Sequence, residues 1–198
     1  MGGTHTYADG DVVTASVLNT YVRDQVISQV TSGTRPTGTA GQEIYETDTG
    51  RKMIYNGSAW LELGRTTGVQ TWTPQVDQGA TTNIGKTVVL ARYVQVGNIT
   101  FVWCTLTMTG AGTAGSSVTV TLPVAASGYN VNDPIGSGQV ADSSAGANSA
   151  IVGVWINSSS TVCFQIDSTA SAGRWGLNPN IALASGDAIR FEAQYVTA

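Results

Sequence analysis

Between Gly41 and Leu63 the chain reads GQEIYETDTGRKMIYNGSAWLEL, two short apolar and aromatic runs separated by TDTGRK and closed by NGSAW. A tract written this way has few ways to fold. Ile44 and Tyr45 form one strand, Thr47-Asp48-Thr49-Gly50 supply turn chemistry, and Met53, Ile54 and Tyr55 form the next strand. Asn56-Gly57 is then a two-residue hairpin signal ahead of Trp60 and Leu61. The expectation is a small β-meander and not an active site. So few residues cannot enclose a core, so Tyr45, Tyr55 and Trp60 need a partner surface, from the rest of the chain or from symmetry-related copies.

Upstream, the first thirteen or so residues are rich in Gly, Thr and Asp, and Thr14 is placed as the N-cap of a helix running to about Val30. Val17, Leu18, Tyr21, Val22, Val26 and Val30 recur at three- and four-residue spacing and make one apolar stripe. Such a stripe can pack on its own domain, but no sizeable domain is adjacent in sequence. Docking on another subunit, or bundling about a symmetry axis, is the favoured expectation. A short helix with β-branched residues is marginal alone, so partner contacts would have to order it. The stretch VTSGTRPTGTA, residues 30–40, is a linker in which Pro36 bars helix continuation.

The wording of these two segments resembles the N-terminal module of minor tail and fibre proteins of tailed bacteriophages. ADGDVVTASVLNTYVRDQV, followed by TSGTRPTGTAGQEIYETDTGRKMIYNGSAWLEL, is similar to that family's helix-opening motif (a Leu-Asn-Thr-Tyr-x-Arg-Asp run) and to its meander (Arg-Pro, Ile-Tyr-x-Thr-Asp-Thr, Tyr-Asn-Gly-x-x-Trp). The likeness covers about the first third of the chain and continues more weakly into a β-rich, adhesin-like remainder ending ASGDAIRFEAQYVTA. It implies a virion structural role without saying in which part of the virion.

From Val69 onward the pattern is a succession of strands: 69–76, 87–96, 99–108, 117–124, 135–140, 150–157, 161–166 and 188–196. Val118, Val120 and Leu122 should point inward, as should Ile189, Phe191, Ala193 and Tyr195, with Arg190, Glu192 and Gln194 outward. The expected organisation is residues 1–40 as leader, helix and linker for virion docking, 41–66 as the meander, and 67–198 as a β-sandwich domain. The fold class is mainly β, with a C-terminal antiparallel, jelly-roll-like sandwich preceded by an N-terminal α-helix and the small meander.

Composition narrows the function. Only 11% of the 198 residues are charged and 24 are glycine, so much of the surface must be Ser, Thr, Asn and Gln, which suits exposed sheets and subunit interfaces. A net charge of −4, with nine scattered Lys and Arg, argues against nucleic acid as a partner. No apolar stretch approaches the ~20 residues of a membrane span, and MGGTHTYADGD lacks the basic start and apolar run of a signal peptide, so neither membrane insertion nor secretion is expected. Cys104 shares a face with Val102, Leu106 and Met108, whereas Cys163 lies on the face opposite Val162 and Phe164. Free thiols are therefore expected, and neither cysteine has His, Asp or Glu at metal-ligand spacing.

For chemistry the sequence offers little. His5 is the single histidine and sits in the leader, so no Ser-His-Asp or Cys-His arrangement is expected in a rigid frame. Asp133, Asp142, Asp167 and Asp187 could in principle form a carboxylate pair, but each has the Asn, Ser or Gly neighbours of turn chemistry. The Gly-rich segments TGAGTAGSS and IGSGQVADSSAG lack a P-loop Lys. No catalysis, cofactor or metal is expected. The candidate contact segment is STASAGRWGLNPN, residues 168–180, where Arg174 and Trp175 either stack on a sugar or anchor an interface, or Trp175 plugs the end of the sandwich. Trp103 and Trp155, out of phase with some strand neighbours, are further interface candidates.

Two functions fit. One is a minor tail or fibre protein, docked by its N-terminal region and displaying the sandwich for host-surface adsorption, with a host cell-envelope glycan as candidate ligand. The other is a head decoration or head fibre protein bound to the capsid. In either, the expected partners are other phage tail or capsid proteins and further copies of the chain. A homotrimer is preferred because the resembling family commonly trimerises. The expected location is the virion, after synthesis in the host cytoplasm.

Overall fold

A computed structural model describes residues 8–10, 12, 14–15, 27–65, 68–144, 148–166 and 173–197. The chain divides into two compact units, Met1–Thr67 and Gly68–Ala198.

In the first unit, β1 (Ser28–Val30), β2 (Glu43–Glu46), β3 (Arg51–Tyr55) and β4 (Trp60–Arg65) lie side by side in chain order. The last three form the expected antiparallel meander. β1 corrects the expected helix, whose last three residues are instead a strand pairing parallel to β2, with Ser28 opposite Ile44 and Val30 opposite Glu46. The open edge of the meander supplies ladder bonds there, and β-branched Ile27 and Val30 favour extended backbone. The proposed docking stripe of Val17, Leu18, Tyr21, Val22 and Val26 lies outside the described residues, as does most of the expected helix, of which Ala15 is in helical conformation.

The hairpin between β3 and β4 also departs from expectation. The strands close at Tyr55 opposite Trp60, leaving a four-residue loop, 56–59, where two residues were expected. The reason is the Asn56 side chain, whose Oδ1 accepts hydrogen bonds from Ser58 N (2.9 Å), Ser58 Oγ (3.0 Å) and Ala59 N (2.8 Å) and so builds an Asx turn.

For Tyr55 and Trp60 the expected partner surface comes from the meander's own linker, while Tyr45 lies on the opposite face. Residues 31–38 cross the face bearing Ile44, Glu46, Met53, Tyr55 and Trp60. Thr31 and Thr34 close a single 3-10 turn at Ser32–Thr34, and Ser32 donates through N and Oγ to Asp48 at 2.9 and 2.6 Å. The Trp60 indole donates to the Pro36 carbonyl at 3.3 Å and tilts against Tyr55, with ring centroids 5.3 Å apart. Gly38 is required by contact: a Cβ there would come 2.2 Å from the Tyr55 ring, so only glycine lets the ring lie on the backbone.

The second unit holds β5 (Gln70–Thr71), β6 (Val76–Gln78), β7 (Lys86–Val96), β8 (Ile99–Met108), β9 (Val118–Thr121), β10 (Pro134–Asp142), β11 (Asn148–Ser158), β12 (Thr161–Ile166), β13 (Gly173–Arg174) and β14 (Ala188–Val196). The strand order is β5-β7-β8-β14-β10-β11-β12-β9-β6, with β13 also on β12 and every pairing antiparallel. These strands make one continuous sheet, and chain length forces it to curl. β5 and β6 stand at opposite ends of the order, about 38 Å apart if the sheet were flat. The path from Thr71 to Val76 reaches at most about 18 Å. Trp72 marks the meeting of the two ends, its N donating to Ala91 O of β7 at 3.4 Å and its Nε1 to Thr121 O of β9 at 3.3 Å. Pro74, which has no N–H for a ladder, separates β5 from β6 where a single strand was expected.

The inner face of the curl is the core. Val102, Cys104, Leu106 and Met108 of β8, Val118 and Val120 of β9, and Ile189, Phe191, Ala193 and Tyr195 of β14 are all buried. Phe164 sits among them, 5.6 Å from Phe191 and 6.5 Å from Trp175 between ring centroids. Both cysteines are free and buried, and burial pushes the Cys104 thiol up to about 12.

Candidate functional site

The segment singled out for ligand contact does not present its tryptophan. Trp175 is 3% exposed, packed edge-on against Phe164, with its N donating to Phe164 O at 2.8 Å and its carbonyl accepting from Val118 N at 3.0 Å. Of the expected alternatives it takes the plug, and its ring is not available for stacking on a sugar. Arg174, on β13, donates to Asn157 Oδ1 at 3.0 Å and to Asn132 Oδ1, tying the end of β11 to the turn before β10. Its guanidinium is committed to scaffolding.

Three of the four candidate carboxylates are likewise turn acceptors. Asp133 Oδ2 takes Asn130 N at 2.7 Å, and Asp142 Oδ1 takes Ser144 N and Oγ at 2.9 and 2.6 Å. The buried Asp187 accepts from Ser143 N (2.8 Å), Ser143 Oγ (3.0 Å) and Ala184 N (2.8 Å), which locks the turn before β14 to the end of β10. Asp167 and His5 lie outside the described residues. Among the described residues no group of three His, Cys, Asp or Glu could hold a metal ion, and no helix is long and apolar enough to cross a membrane.

Buried polar residues escaped the sequence reading, Gln78 and Glu46 among them. Gln78 ends β6 fully buried, donating from Nε2 to Ile181 O (2.7 Å) and Ser116 O (3.2 Å) and accepting from Leu183 N (2.9 Å) at Oε1. A Cβ on Gly112 would come 2.0 Å from that Oε1, so glycine is what allows the loop to close over the amide. A lone Gln at a strand end carries no signal of this in sequence.

The most exposed of the tryptophans is Trp103, 38% exposed on the outer face of β8. Alternation with the buried Val102 and Cys104 puts it there. Strand register then sets its neighbours across the sheet: Arg92 of β7 on one side, and Glu192 of β14 followed by Ser137 of β10 on the other. The adjacent row reads Leu90, Thr105, Arg190, Gln139, Ile151. Arg190 Nη1 donates to Gln139 Oε1 at 3.1 Å. The side chains of Arg92, Trp103, Glu192 and Gln194 make no hydrogen bond or ion pair with other described residues. Shallow grooves run along the strands from Trp103 in both directions, one toward Phe101 and Gln194, the other toward Arg190 and Ile151. Trp155, by contrast, lies back over Gly153, where a Cβ would come 2.6 Å from its Nε1.

Compared with known proteins, the chain matches no family model, no curated protein and no solved structure.

Proposed function

We propose that this chain is a non-catalytic structural protein of a tailed-phage virion, a minor tail or fibre protein whose small unit seats it in the particle and whose curled sheet, of sandwich type, faces outward for host adsorption. The observation that carries this is the two-sided character of the small sheet. One face is closed by the linker 31–38, while the other carries Leu61 and Leu63, about half exposed, beside Ile54 and the Glu43–Lys52 ion pair at 2.8 Å. Half-exposed leucines side by side on a small sheet are an apolar surface that a neighbouring virion subunit would cover. The phage-like wording of residues 8–63 and the use of Asp133, Asp142 and Asp187 in turns support the same conclusion.

The test is the copy number and location of the chain in virions made from the genome that encodes it, measured by quantitative mass analysis of separated heads and tails. A few copies confined to tails are expected. Hundreds of copies on heads would move the assignment to head decoration, and absence from virions would overturn both.

A further inference from the structure

We infer that the outer face of the sheet around Trp103 is a saccharide-binding surface that takes an extended stretch of pyranose units. The proposal builds on the adsorption role above but stands on its own residues. Binding a sugar ring needs a flat apolar platform for its C–H face and planar polar groups for its hydroxyls. Trp103 is the platform. Glu192 is a carboxylate acceptor, Arg92 a forked donor, and Gln194 can do either, and none of the three side chains has a hydrogen-bond or ion-pair partner among the described residues.

Their arrangement separates a saccharide from a protein partner. A protein interface places apolar residues at its centre and polar ones at its rim. Here the central row runs Arg92, Trp103, Glu192, Ser137, while the larger aliphatic residues Leu90 and Ile151 stand at the two ends of the adjacent row. Polar groups interleave with the aromatic, as hydroxyl-rich ligands require. In a chain with only 11% charged residues, Arg92, Arg190 and Glu192 gathered about one exposed tryptophan also form a local concentration of hydrogen-bonding charge. The two grooves meeting at Trp103 run from Phe101 to Thr105, about 13 Å of strand. That is the length of a short oligosaccharide and not of a single ring.

The experiment uses the purified full chain on a printed array of hexose and N-acetylhexosamine oligosaccharides, followed by isothermal titration with the strongest hit as a soluble tetrasaccharide. Expected are measurable binding, weaker binding of the corresponding monosaccharide, and a loss of about tenfold or more in Trp103→Ala and in Glu192→Gln. Leu177→Ala, in an exposed loop, should bind like the parent. Both test positions are on the surface, and circular dichroism of each variant should match the parent. No binding anywhere on the array, or binding that survives Trp103→Ala, overturns the proposal. So does self-association of the parent that Trp103→Ala abolishes, since the face would then be an interface between copies. Failure here leaves the virion assignment standing, and absence from virions leaves a saccharide titration standing.

Discussion

The carboxylate of Glu46 is fully buried in the small unit and is held by the guanidinium of Arg35, a residue of the linker that crosses the meander. Thr49 Oγ1 donates to its second oxygen at 2.6 Å. Burial by itself pushes the carboxyl up, but the bonds from Arg35 and Thr49 outweigh it and hold Glu46 below its usual range. The pair fastens the linker to the sheet that needs covering.

Arg35→Ala should therefore loosen the small unit more than a surface change would. It leaves a buried carboxylate without its cation, and because Arg35 is one-third open to solvent the cost is set at about 2 kcal/mol, below that of a fully buried pair. Hydrogen exchange should report faster opening of the amides of β2 and β3, with those of β8 and β14 unaffected. Unchanged exchange in β2 would show that the pair holds nothing.

The same pair makes the small unit acid-sensitive, with a definite sign. The folded pKa of Glu46 lies below the unfolded one, so its contribution is fully present above the unfolded carboxyl value of about 4.3. It is lost as pH falls through the folded value. Asp48, held down by Ser32, adds in the same direction. Exchange of the β2 amides, corrected for intrinsic rate, should rise as pH drops below about 4.3, and Glu46→Gln should flatten that rise.

Trp175 and Trp103 should behave oppositely on truncation. Trp175→Ala empties a buried site beside Phe164 and is expected to cost about 3 to 5 kcal/mol in a urea titration. Trp103→Ala removes a half-open side chain and should stay within about 1 kcal/mol. Equal losses would mean that Trp103 is a core residue and not a platform.

Gln78→Ala strands two carbonyls and one amide that have been closed away from water. The expected cost is about 3 kcal/mol, with Gln78→Glu no better because it cannot donate to both Ser116 and Ile181. A urea midpoint within error of the parent would rule out the clamp.

Neither thiol should react in the native state. Cys104 is raised to about 12 and Cys163 is raised by burial, so at pH 8 a thiol reagent should label neither until denaturant is added, when both react. One equivalent labelled without denaturant would mean that the sheet opens at β8 or β12.

Much of this fold was legible in the residues because it depends on near neighbours. Ile99–Met108, Thr161–Ile166 and Ala188–Val196 form strands with the expected bounds, and in the first and last of them alternation fixed which side chains enter the core, whereas in Thr161–Ile166 Cys163 is buried together with Val162 and Phe164. Alternation even placed Trp103 outside, since its neighbours Val102 and Cys104 had to be inside. Where the signal was weaker the outcome turned on competition. Asn56-Gly57 allowed a two-residue turn, but the Asn56 amide found three donors in a longer loop. Ser28 to Val30 extended the helical stripe, but a free strand edge was within reach.

Local sequence thus determined the strands, their faces and the need of the meander for a covering surface, because turn chemistry and side-chain alternation act over a few residues. Tertiary structure alone decided that the linker supplies that surface, that one sheet curls until Trp72 joins its two ends, and that Trp175 is buried while Trp103 is not. Each of those outcomes rests on contacts between residues distant in sequence. Whether a loop tryptophan meets Phe164 or water is set by which strands lie beside it, and no spacing along the chain encodes that.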